Sequence, residues 1–123
     1  MATILITDDS EFIRLKLSKM LLGYGHAVLE AENGVKAIDS YKTNHPDLVL
    51  MDVTMPEMDG IMTLRQIRLF DAKAKVIMLT ALGQDSVMLD AIKSGARDFI
   101  VKPFDRERIM NAIQKLLAEG IRT

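Results

Sequence analysis

Three acidic side chains, a threonine and a lysine stand where apolar runs of this chain give way to polar ones. Asp52 closes the run Leu48-Val49-Leu50-Met51 and is followed by Val53-Thr54-Met55-Pro56. Asp8 and Asp9 follow Thr3 to Thr7, Thr80 ends Lys75 to Thr80, and Lys102 follows Asp98 to Val101. Short apolar runs bounded by turn residues read as strands buried on both faces. In an open α/β sheet the carboxyl ends of such strands open into the ligand crevice. If the strands before Asp8 and Asp52 are neighbours, three carboxylates meet at one sheet edge. They would repel one another and resist ionisation unless a cation sat among them. A hard, oxygen-preferring divalent ion resolves that conflict, and Mg²⁺ is the expected one.

Thr80 and Lys102 add a hydroxyl donor and an ammonium to the same edge. Such groups neutralise the oxygens of a phosphoryl group, and a carboxylate can accept that group covalently. Asp52 is the expected acceptor. Each residue alone has a plainer explanation. Asp8-Asp9 suit the N-terminus of a helix, Thr80 is an ordinary β-branched strand residue, and Lys102 an ordinary surface lysine. The plain explanation of Lys102 weakens because Pro103-Phe104 follows it, a stiff apolar context whose Lys-Pro bond is a candidate cis peptide.

The elements that must position these groups alternate along the chain. Strand patterns fall at Thr3–Thr7, His26–Ala31, Leu48–Met51, Lys75–Thr80 and Asp98–Val101. The first helix has Ser10 as N-cap, carries Phe12, Ile13, Leu15, Leu17, Met20 and Leu21, and ends at Gly23 and Gly25. A second opens at Asn33-Gly34, turns Val35, Ala37, Ile38 and Tyr41 to one side and closes at Asn44-His45-Pro46. A third carries Ile61, Leu64 and Ile67. The fourth starts at Asp85 or Ser86, faces Val87, Ala91 and Ile92 inward and stops at Gly95. The last runs from about Asp105 to Ala118. Five strand–helix pairs predict an α/β fold, one doubly wound (βα)5 domain over residues 1–123 with a five-stranded parallel sheet in the order 2-1-3-4-5.

Composition narrows the possibilities. With 123 residues, 49% hydrophobic and 27% charged, the chain suits one globular domain. Sixteen basic against seventeen acidic side chains give a net charge of −1, which suggests neither a nucleic-acid footprint nor a membrane surface. Cysteine is absent, removing disulfides and thiolate metal sites. There is no signal-peptide pattern and no apolar run approaching the roughly 20 residues of a membrane span. A cytoplasmic monomer is the simplest expectation. Of nine methionines, Met51 and Met78 are expected in the core, and Met55, Met58, Met62 and Met88 are weaker candidates for partner contacts.

The set Asp8-Asp9, Asp52, Thr80-Ala81 and Lys102-Pro103-Phe104, with Met-Pro-Glu-Met-Asp-Gly after the acceptor, resembles the receiver domain of two-component response regulators, in its stand-alone, CheY-like form. The resemblance covers about Thr3 to Ala118 and implies a flavodoxin-like fold without an output domain. It implies that Asp52 takes a phosphoryl group from a sensor histidine kinase and that the protein assists its own phosphorylation and dephosphorylation rather than acting as an enzyme on another substrate. It implies that Asp9 binds Mg²⁺ directly, Asp8 mostly through water and Thr54 through its backbone carbonyl. Thr80 and Lys102 would grip the phosphoryl oxygens, and Phe99 would be the aromatic switch that turns inward with Thr80. The implied target surface is helix 4, strand 5 and helix 5, with a flagellar motor protein in chemotaxis, or a phosphatase, as the leading partner. Leu82, two residues after Thr80, offers no polar group to orient water, which suggests slow loss of the phosphoryl group. Other readings are a phosphorelay intermediate serving a histidine phosphotransfer protein, an unphosphorylated pseudo-receiver, and a phosphatase attacking through an aspartate after the first strand. The last expects an aspartate two residues beyond the nucleophile, where Ser10 follows Asp8-Asp9.

Overall fold

A computed structural model describes residues 1–81 and 83–119. Its elements are β1 (Thr3–Thr7), α1 (Glu11–Gly23), β2 (Ala27–Ala31), α2 (Gly34–Asn44), β3 (Leu48–Asp52), α3 (Gly60–Phe70), β4 (Val76–Thr80), α4 (Asp85–Lys93), β5 (Asp98–Val101) and α5 (Arg106–Glu119). The strands pair in parallel in the order β2-β1-β3-β4-β5, as expected. Sequence boundaries miss by a residue or so: β2 begins after His26 and β4 after Lys75.

The period-two alternation of strand side chains divides the core into two layers. Leu5, Val49, Met51, Val76 and Met78 pack with Ala37, Tyr41, Leu64, Ile67 and Ala91 of α2, α3 and α4. Ile4, Ile6, Leu48, Leu50, Ile77 and Leu79 pack with Leu17 and Leu21 of α1 and Ile109, Ile113 and Leu116 of α5. Covered on both faces, β3 and β4 are buried at every residue, which is why they read as unbroken apolar runs. The edge strand β2 is only partly covered and reads as more polar.

The helix starts follow the capping chemistry of the sequence. Ser10 Oγ accepts the Ile13 amide at 3.3 Å, and Asn33 Oδ1 that of Lys36 at 2.8 Å. Asp59 Oδ1 accepts the Met62 amide at 2.8 Å. Several apolar side chains of the helical patterns lie outside, Ile92 among them although it is expected inward. Phe12 is 72% exposed, and Leu15, Val35 and Ile92 are about half exposed or more. The cause is geometric: α1 has more apolar residues than one helix face can bury, so Leu17 and Leu21, four apart, take the sheet side. In α2, Ala37 and Tyr41 take that side and Val35 does not. In α4, Ala91 is the one buried residue.

Gly60 fixes the loop that carries Asp52. Its amide donates to the Val53 carbonyl at 2.7 Å, folding the start of α3 back on the end of β3. A Cβ at Gly60 would lie 1.9 Å from the Asp52 carbonyl oxygen, a backbone atom that cannot move aside alone. Gly60→Ala is therefore expected to lower stability by about 3 kcal/mol through forced backbone displacement. Urea denaturation measures it, and a loss below ~0.5 kcal/mol would contradict this close approach.

Candidate functional site

The register of β1 on β3 pairs Thr7 with Met51, so the next residues, Asp8 and Asp52, leave the sheet side by side. Asp9 follows on the loop into α1. The structure brings the three acids together, with one oxygen from each within 4.8 Å of the others. Asp8 is 3% exposed and Asp52 7%, whereas Asp9 is exposed. Two carboxylates thus line the floor of the crevice and one its mouth.

Lys102 comes to the same place from β5. Its amide donates to the Thr80 carbonyl at 2.7 Å, which sets the chain direction. Its ammonium donates to Asp8 Oδ2 at 2.9 Å and lies 3.7 Å from Asp52 Oδ1. The Lys102-Pro103 peptide is cis. Thr80 is fully buried at the end of β4, one position beyond the Asp52–Leu79 register pair. The Thr54 amide donates to Asp52 Oδ1 over a long 3.4 Å, and Thr54 itself is exposed. Phe99 is 9% exposed and already packed in the core layer with Met78 and Ala91. Leu82 lies outside the described residues.

The electrostatics follow from this placement. Burial pushes the Asp52 carboxyl up from 3.8 to about 6. The Lys102 ammonium and the Thr54 amide oppose that rise, while Asp8 and Asp9 add to it. Asp8 also spends Oδ1 on the Ser10 amide at 2.9 Å. Three carboxylates face one ammonium, so the site carries excess negative charge in a poorly solvated place. A purely oxygen donor set with one solvent-open member fits a hard divalent cation that retains water, and Mg²⁺ suits it better than a metal preferring nitrogen or sulfur.

Two supporting residues are given no role by the sequence. Arg14 donates to the Asp8 carbonyl at 2.7 Å through Nη1 and to Glu30 at 3.1 Å through Nε, tying α1 and β2 to the acidic turn. The spacing of Arg14, four residues after the Ser10 cap, was the available hint, since that position faces back over the first turn. Gly60 is the other, visible only as part of the Asp-Gly that opens α3.

Residues 4–114 match the response regulator receiver domain family. The chain is 52% identical over 115 residues to the chemotaxis protein CheY of Bacillus subtilis, covering 93% of this chain and 96% of that protein. It is 45% identical over 114 residues to the CheY of Thermotoga maritima, covering 92% and 95%. Among solved structures, it is similar to a chain of the CheX-CheY-BeF3-Mg²⁺ complex from Borrelia burgdorferi. That likeness has a TM-score of 0.89 and 38% identity, and covers 93% of this chain and 87% of that one.

The raised Asp52 carboxyl makes a signed prediction for the metal-free protein. Because the folded value lies above the unfolded one, the folded state loses stability as pH rises from about 4 to about 6, and the loss is complete above that window. In chelator at pH 7.5, Asp52→Asn is expected to be more stable than wild type by about 2 kcal/mol, with the gap closing near pH 4. Thermal denaturation across that range checks both features. A variant no more stable than wild type at pH 7.5 would contradict the excess-charge description.

Proposed function

Because the chain belongs to the response regulator receiver domain family, we propose that it is a CheY-like phosphorylation switch with Asp52 as the phosphoacceptor. The observation that carries this reading is the cluster of Asp8, Asp9 and Asp52 at the carboxyl edge of the sheet, with the Lys102 ammonium against Asp8 and Asp52. In the reaction an Asp52 oxygen bonds to phosphorus as the phosphorus–nitrogen bond to a kinase phosphohistidine breaks. The imidazole leaves with that electron pair and takes up a proton from water. Positioning and charge neutralisation do most of the work in such transfers.

Each side chain has a role in that step. Lys102, already within 3.7 Å of Asp52, pairs with a phosphoryl oxygen once that group is attached. Thr80 donates its hydroxyl to another. Asp9 from the open side, Asp8 mostly through water, Asp52 and the Thr54 carbonyl would hold Mg²⁺. The chemistry that Mg²⁺ supplies when bound is positive charge against the carboxylates and the transferred oxygens. Arg14 keeps the acidic turn in register while Lys102 changes partners.

The consequence is a shift of population on the α4–β5–α5 face. Of the helices, α4 is the most weakly anchored: nine residues, no side-chain cap at Gln84 and one buried residue, Ala91. Such an element opens at low cost. Met88, Leu89, Ile92 and Val101 present exposed apolar side chains there, which suits a protein partner. Ile92, expected inside from its sequence pattern, belongs instead to this surface. Movement of Thr80 toward the phosphoryl group, with Phe99 held inward, biases the face toward binding. A histidine kinase as donor and a chemotaxis target such as a flagellar motor protein are the partners this reading adopts, on the strength of the similarity to CheY proteins.

Incubation with acetyl phosphate followed by intact mass measurement tests the acceptor. One phosphoryl adduct is expected, dependent on Mg²⁺ and absent from Asp52→Asn. Thr80→Ala is expected to label while losing most of the amide shift changes along α4 and β5 that labelling produces in wild type. Labelling of Asp52→Asn to the wild-type extent, or no labelling of wild type, would overturn the proposal.

A further inference from the structure

The helices on one side of the sheet are unevenly spaced. α2 packs tightly on α3, so closely that a Cβ at Gly34 would meet Thr63 Oγ1 at 2.3 Å. No comparable packing joins α3 to α4 among the described residues, and an open furrow runs between them. It consists of two hollows that share Asp90 as a lining residue. The upper, of about 520 Å³, has the apolar Val53, Met55, Ile61 and Val87 on its wall and the polar Thr54, Asp59, Ser86 and Asp90 around them. The lower, of about 760 Å³, is lined by Arg65, Arg68, Lys93 and Leu69.

The lower hollow is cationic in a protein that is nearly neutral overall. It sets three cations against one carboxylate, Asp90. Leu69 stands on its rim 81% exposed, on the face of α3 turned away from the core. Arg68 lies across Gly95 and donates to the Ala72 carbonyl, so its guanidinium is held in place with other donors still to offer. Arg65 reaches over from α3 to Asp90 at 2.7 Å and to Ser94 at 3.0 Å. That pair is half exposed, so another carboxylate can replace Asp90 at little cost.

We propose that the α3–α4 furrow docks an extended segment of a partner protein, with an apolar side chain in the upper hollow and carboxylates on Arg65, Arg68 and Lys93. Charge complementarity chooses the acidic end, and the apolar wall beside Val53 and Ile61 chooses the other. The spacing sets the length. From Ile61 to Leu69 the helix rises about 12 Å at ~1.5 Å per residue, which an extended chain at ~3.3 Å per residue spans in about four residues. This surface is separate from the α4–β5–α5 face and lies on the opposite flank of α4.

Amide shift mapping of the full chain with the blocked hexapeptide Ile-Ser-Ser-Ser-Asp-Glu tests the proposal. Saturable shifts are expected along α3 and α4, centred on the furrow. Affinity should fall at least tenfold in Arg68→Glu/Lys93→Glu, and several-fold in Leu69→Ser, which leaves the charges intact. The same peptide ending in Lys-Lys should not bind. Shifts that do not saturate, that centre on another surface, that survive the double substitution in a folded protein, or that sodium acetate reproduces at equal carboxylate concentration would each overturn it.

Discussion

The uncompensated negative charge at the carboxyl edge of the sheet is the constraint around which the rest of the structure is arranged. Asp8 and Asp52 are nearly buried, Asp9 stands beside them, and one ammonium, that of Lys102, lies against Asp8 and Asp52. A protein selected for stability alone would replace such a group with apolar or neutral side chains. Keeping it costs folding free energy and leaves a site that gains whenever positive charge arrives. A bound cation would offset that excess, and only then would the cluster suit a phosphoryl group, which brings negative charge of its own.

Holding that cluster requires rigidity from elements that carry no chemistry. Adjacent parallel strands set Asp8 beside Asp52, and the fully buried β3 resists slipping, since a one-residue shift would move each of its side chains into the opposite core layer. Arg14 pins the acidic turn from one side, and Gly60 lets α3 begin directly against the Asp52 carbonyl on the other. The compliant part is α4, whose core contacts are Ala91 and the partly buried Val87. Rigid support under the charged residues and a loose helix beside them is the combination a switch needs, because a small change at the edge then moves one element rather than the whole sheet.

Much of this is legible in the sequence because strand and site signals coincide. Unbroken apolar runs ending in Asp52 and Thr80 give both the buried strands and the edge where the polar groups gather. Ser10 and Asn33 announce their helices through capping chemistry that is local. What is not legible depends on three-dimensional competition for space. The sheet face of α1 has room for Leu17 and Leu21, and nothing in the order of residues says that Phe12 and Leu15 must yield. Ile92 is misplaced for the same reason, and its exposure is what makes the α4 face apolar. Arg14 and Gly60 act on backbone carbonyls, so the role of each is hidden even though Gly60 closes the Met-Pro-Glu-Met-Asp-Gly motif. The Arg65–Asp90 bridge joins residues 25 apart and becomes visible only when α3 and α4 are seen to stand apart.

The most direct test of the central claim is a Mg²⁺ titration of the thermal midpoint in the absence of any phosphodonor. If the charge deficit defines the site, the wild-type midpoint rises progressively with Mg²⁺, as ligand binding to the folded state requires. The same titration should move Asp9→Asn far less, because the open carboxylate is gone. A wild-type midpoint indifferent to Mg²⁺, or an equal rise in both proteins, would contradict the account.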